Sequence, residues 1–222
     1  MNAVNAHGYS SANENDEELS HYHQGQLDSL CGIYAMINAC RMACRSPAIN
    51  KQLGSRFLFQ LMIQDLEAHK ELGAVLCFGT RDESHSRCLA VAEKYLLCRH
   101  GLILTVTRPL AKITKPSIAH AFKIIHQHLQ KPGSSVLLDL QVIISGHWTV
   151  ISKIENGWVY FADSTGMKPK PFGDFGINSA ARLRRDKKVS FSKSDLLLLQ
   201  VTFAEGTLKQ DISCKALYKA YT

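Results

Sequence analysis

Cys31, His147 and Asp163 are three residues whose types and order suit one reaction. Cys31 follows Gln24-Gly-Gln26-Leu-Asp-Ser-Leu and opens a stretch in which Ile33, Met36, Ile37 and Cys40 recur at the period of a helix with one buried face. Asp28 or Ser29 is placed to cap the first turn, which sets the sulfur where unpaired N–H groups and the positive end of the helix dipole favour an anion. That is how a thiol, with an ordinary pKa of about 8.5, is prepared as a nucleophile.

His147 lies in Ser145-Gly-His-Trp-Thr-Val-Ile-Ser152, which alternates as a strand, and Asp163 ends Trp158-Val-Tyr-Phe-Ala-Asp163. With Glu155-Asn-Gly157 between them the two runs read as a β-hairpin. A three-residue loop closed by a left-handed Gly157 sets Thr149 opposite Asp163 and makes His147 and Asp163 diagonal neighbours, roughly 5 to 8 Å apart at the backbone. A two-residue Asn156-Gly157 turn shifts the register by one and sends them to opposite faces.

The chemistry that needs these groups is acyl transfer through a thioester. A thiolate attacks a carbonyl, an imidazole holds the thiolate as an ion pair and then protonates the leaving group, and a carboxylate orients the imidazole. The Cys31 N–H and the Gln26 amide are the expected oxyanion donors, an effect on the order of 3 kcal/mol per donor, with Gln24 as the substitute. Asp139, within Val136-Leu-Leu-Asp-Leu, is the main rival to Asp163 as orienting carboxylate, and Asp174 a weaker one. Trp148 is expected either to shield the imidazole–carboxylate pair or to fill the core.

Gln26 ahead of Cys31-Gly32 at a helix start, Gly146-His147-Trp148 on a strand and Asp163 at the end of the next strand resemble the pattern of papain-like cysteine peptidases. The style is that of compact bacterial members, such as the leader-peptide-processing peptidases of ABC transporters and secreted peptidase effectors. The resemblance spans roughly residues 20 to 205 and implies a thiol peptidase acting on peptide or isopeptide bonds without a cofactor. Two other functions keep the same residues: a transglutaminase-like or deamidase activity on protein glutamines, and a catalytically silent papain-fold binding module.

The 222 residues and 45% hydrophobic content suit one domain with a packed core. Residues 1–20, rich in Asn, Ser, Asp and Glu, read as a disordered or loosely attached leader ahead of a single hydrolase domain over 21–222. Neither an apolar run long enough to span a membrane nor a signal peptide is evident, so the expected location is the cytoplasm, with delivery as an effector left open. The seven cysteines, at 31, 40, 44, 77, 88, 98 and 214, are expected to be reduced thiols. A net charge of +7 owes much to Lys168, Lys170, Arg182, Arg184, Arg185, Lys187 and Lys188. No zinc spacing or helix-turn-helix pattern accompanies them, which argues against nucleic acid and leaves a solvated loop or an acidic protein or peptide substrate. The pairs His21/His23, His126/His128 and Cys40/Cys44 are not read as metal ligands.

Helices are expected from Cys31, over about 51–70, near 85–98 and near 117–129, with a Gly73-punctuated loop after the second and a short strand over 102–107. Strands follow over 136–144, 148–154, 158–162 and 197–203. Helices first and strands later argue an α+β fold, with the nucleophile helix packed on a C-terminal antiparallel sheet. The sequence carries no signal for the oligomeric state.

Overall fold

In the computed structural model the described residues are 21–24, 29–142, 145–178 and 189–204. The leader, Gln26, Asp28, the basic run from Arg182 to Lys188 and Cys214 lie outside them.

The stripe read from the sequence makes α1 (Cys31–Arg45) the axis of the assembly, with Ile33, Met36, Ile37, Cys40 and Cys44 all buried. Each such side chain removed from water contributes about 1.5–3 kcal/mol. Around it pack α2 (Ser55–Ala68), through Leu58, Leu61, Met62 and Leu66, and α4 (Asp82–His100), through Cys88, Leu89, Ala92 and Leu96. Gly101, in the left-handed conformation at φ 63°, closes α4 just past His100. Between α2 and α4 runs α3 (Leu72–Phe78), a short helix where Gly73 argued for a loop. Its buried side chain is Val75, too sparse a signal for periodicity to detect.

The strands are β1 (Leu102–Thr107), β2 (Ser134–Val142), β3 (Ser145–Glu155), β4 (Trp158–Phe161), β5 (Lys170–Pro171), β6 (Phe175–Asn178), β7 (Val189–Ser192) and β8 (Leu196–Phe203), with α5 (Ile118–Leu129) before β2. They form one sheet in the order β1-β8-β2-β3-β4-β5, and β7 also joins β2. The fold is α+β and the main sheet is antiparallel. β6 departs from that pattern by pairing with β7 in parallel. The pleat divides the core in two. Leu137, Trp148, Val150, Leu197 and Leu199 meet α1, α2 and α4, whereas Val136, Leu138, Leu140, Ile151, Leu196 and Leu198 meet Phe122 and Ile125 of α5 together with Phe175 and Phe191.

The cysteines do not all match the expectation. Cys31, Cys40, Cys44, Cys77 and Cys88 are free, but Cys98 is disulfide-bonded, its partner outside the described residues. An odd total excludes complete pairing and nothing more, which is why the count misled. Among the described residues no helix is long and apolar enough to cross a membrane.

Candidate active site

The hairpin that carries His147 and Asp163 turns through two residues, not three. Glu155 pairs with Trp158, Ile154 with Val159 and Lys153 with Tyr160, and both Asn156 (φ 51°) and Gly157 (φ 79°) take positive φ. Such a turn matches the strand twist and suits Asn-Gly. By itself this register would send His147 and Asp163 to opposite faces. A β-bulge reverses it: Ser152 has no partner of its own, and beyond it Ile151 pairs with Phe161. The backbone bond from Ala162 N–H to the Val150 carbonyl, at 2.9 Å, carries the new register past the end of β4. Two one-residue displacements cancel, and Asp163 comes to the His147 side of the ribbon.

There the imidazolium Nε2–H donates to Asp163 Oδ2 at 2.6 Å. Asp163 is 1% exposed, and its other oxygen accepts from the Thr165 N–H (2.8 Å), the Thr165 hydroxyl (2.6 Å) and the Met167 N–H (3.1 Å). Burial favours the neutral acid, but the bond from His147, the Thr165 hydroxyl and the imidazolium charge outweigh it and hold the carboxyl well below the usual carboxylate range. Burial likewise works against a charged ring on His147. The hydrogen bonds to Asp163 and to the Cys31 side chain prevail and push it up to about 10. With Nε2 committed to Asp163, Nδ1 is the nitrogen left for the sulfur. Cys31, His147 and Asp163 are therefore brought together.

Sulfur sits at the tip of α1, and among the described residues no side chain caps that tip. Leu30 occupies the N-cap position; of the two expected caps Asp28 lies outside the described residues, and Ser29 donates its backbone N–H to the Leu76 carbonyl at 3.2 Å. The Ser29 carbonyl lies 4.0 Å from Cys31 Sγ. Gly32 is favoured here by a close approach: a Cβ on it would overlap the Thr80 hydroxyl, so the α3–α4 connection is seated directly on the helix tip. On the other side Asn38, buried within α1, accepts from the Tyr22 N–H at 2.9 Å and donates to the Tyr22 carbonyl at 3.2 Å. The Gln24 N–H then reaches the Ser164 carbonyl at 2.9 Å. Residues 21–24 thus run from the middle of α1 to the turn after Asp163, and deliver Gln24 to the edge of the cluster. Gln26 lies outside the described residues.

Asp139 pairs with Trp148, so its side chain leaves the sheet on the face opposite to His147. Burial, and after it the Asp195 carboxylate, raise its carboxyl to about 6. Asp174 ends a 3₁₀ turn over Phe172–Asp174. Trp148 does not cover the imidazole–carboxylate pair; it joins the α1-side core and stacks on His85, ring centroids 3.9 Å apart and planes within 13°. Sequence reading missed Thr165, Thr80, Asn38 and His85. Of these only Thr165 had a local signal, since Asp163-Ser-Thr-Gly is a sequence in which an Asp oxygen accepts from the backbone two residues on. Among the described residues no three His, Cys, Asp or Glu side chains gather as metal ligands. No protein-family model, curated protein or solved structure matches the chain.

Proposed function

We propose that this chain is a cysteine peptidase of papain-like fold, hydrolysing peptide or isopeptide bonds. One observation carries the reading: a half-buried imidazole held between a helix-tip thiol and a buried carboxylate that accepts three further hydrogen bonds. A ring pushed up to about 10 stays protonated at neutral pH, which is the partner a thiolate needs. The Cys31 thiolate attacks the scissile carbonyl carbon. The oxyanion so formed is met by the Cys31 N–H and by the amide of Gln26 or Gln24. The carbon–nitrogen bond then breaks as His147 gives its proton to the leaving amine. Water, deprotonated by His147, attacks the thioester, and the carboxylic acid leaves as the thiolate is restored. Asp163 keeps the ring oriented throughout and stabilises its charged form whenever the ring holds the second proton.

Iodoacetamide near pH 7, with the labelled site found by peptide mapping, tests the ion pair. Cys31 is expected to label and to lose that reactivity in His147→Ala. Mapping is needed because Cys77 is exposed and free. Cys44 and Cys88 do not compete, since burial pushes both thiols up to about 12. Comparison of new protein N-termini in a lysate treated with wild type and with Cys31→Ala tests the reaction itself. Equal Cys31 labelling in wild type and His147→Ala refutes the ion pair; ammonia release from protein glutamines without new N-termini replaces peptidase by deamidase.

A further inference from the structure

The C-terminal turn of α3 leaves two apolar side chains in water, Leu76 at 40% and Phe78 at 74% exposed, with the exposed Cys77 between them. One exposed apolar residue is ordinary, but neighbouring ones on a fixed edge are a surface that gains by being covered. This edge is fixed to the nucleophile. The Leu76 carbonyl accepts the Ser29 N–H at 3.2 Å, and a Cβ on Gly79 would lie 3.5 Å from the Ser29 carbonyl oxygen, which is itself 4.0 Å from Cys31 Sγ. Behind it Thr80 is wedged against Gly32. The Phe78 backbone therefore lies within about 13 Å of the sulfur, the span of about four extended residues. Gly79, at φ 78°, turns the chain sharply just beyond Phe78, a conformation that leaves Phe78 as the last side chain of the rim.

We propose that Leu76 and Phe78 form a specificity wall of the peptidase cleft, and that the substrate chain bears a large apolar side chain within about four residues of the scissile bond. This rests on the peptidase reading above. This edge adjoins the α1 tip, so an extended substrate that reaches the Cys31 sulfur lies within a few residues' length of it. The substrate side chain and the exposed part of Phe78 leave water together, and that gain is available to any aliphatic or aromatic residue of sufficient size. Net positive charge elsewhere in the chain does not supply this selectivity, because an apolar contact of this kind discriminates by size and not by sign. A single apolar contact discriminates by roughly 10- to 200-fold.

A peptide library cleaved by wild type, Phe78→Ser and Phe78→Leu tests it, with melting temperature and oligomeric state followed for each. Wild type is expected to enrich Leu, Met or Phe at one position within the window. Phe78→Ser should lose about tenfold or more in kcat/KM on those peptides, mainly through KM, and Phe78→Leu should recover most of it. Cleavage without apolar enrichment, or an unchanged profile in Phe78→Ser, overturns the wall and leaves the peptidase standing. A change in self-association with unaltered selectivity also overturns it and makes the edge a contact between copies. If wild type neither labels at Cys31 nor cleaves any peptide, the peptidase reading fails and takes the wall with it.

Discussion

Two histidines beside Trp148, His85 buried and His147 half-buried, are driven in opposite directions. His147 precedes it in β3, and His85, on α4, stacks on its ring. Burial discourages charge on both. His85 has burial and then the Arg108 guanidinium against it and falls to about 4, and its Nε2 finds no hydrogen-bond partner among the described residues. His147 is less deeply buried and also meets a carboxylate at 2.6 Å and the Cys31 sulfur, and it rises to about 10. The lesson is that an interior position does not decide whether an imidazole is charged. A fixed anion does, and the hairpin register is what supplies it.

Removing that anion should have the largest effect. In Asp163→Asn the amide keeps the shape and loses the charge, so His147 should titrate far below 10, toward or beneath its ordinary 6.5, as followed by the ring proton resonances. Turnover should fall by roughly 10²- to 10⁴-fold and not to zero, because sulfur and oxyanion donors remain. The pair also bears on stability. With its folded value raised, His147 contributes fully below its unfolded 6.5, and that contribution is lost as pH rises toward about 10. Asp163, held low, contributes above the usual carboxylate range and loses this as pH falls. An unchanged His147 titration in Asp163→Asn would break the comparison, since burial and sulfur alone would then account for both rings.

The second histidine gives a smaller and opposite effect. His85 is neutral when folded and titrates at its ordinary 6.5 when unfolded, so the unfolded chain binds the extra proton between those values. Stability should therefore drop by about 3 kcal/mol from this residue alone as pH falls from 6.5 to about 4. His85→Phe keeps a ring against Trp148 and removes the proton site. Subtracting its denaturant midpoints from those of wild type across that range should isolate the slope, with Asp139 and the surface carboxylates common to both proteins. Parallel curves would mean that His85 is not discharged by its surroundings.

What the sequence shows of this arrangement divides along the same line. Local physics was legible: the α1 stripe, the four longer helices, the sulfur at a helix tip, and an Asn-Gly turn beside two alternating runs. Relations that depend on parity were not. Reading a three-residue loop put Asp163 on the His147 side for a wrong reason, since the turn has two residues and the unpaired Ser152 restores the offset. No residue type announces a bulge. Asp139 likewise could be set aside only once β2 was known to pair with β3 so that it faces Trp148. β6 was hidden by the proline and glycines around it, β7 by being four residues long directly after a basic run, and α3 by having a single buried residue. Ser29 is a good cap by type, yet Leu30 takes the N-cap position of α1, a one-residue placement that residue type does not decide.

The smallest effect is the most discriminating, because it leaves both partners of the pair in place. Thr165 gives Asp163 Oδ1 two bonds, one from its backbone N–H and one from its hydroxyl. Thr165→Val removes the hydroxyl bond alone. Thr165 is exposed, so water can take over part of that role, and the cost to stability should be about 1 kcal/mol or less. If the carboxylate is kept ionised by the sum of its donors, one fewer should raise the Asp163 pKa slightly and lower that of His147 in step, because each group's charge supports the other. Cys31 labelling should then slow at alkaline pH, where His147 loses its proton earlier, and stay near wild type at neutral pH. A variant whose His147 titration does not move would show that the imidazole bond holds the carboxylate alone, and that the turn after Asp163 positions the group without tuning it.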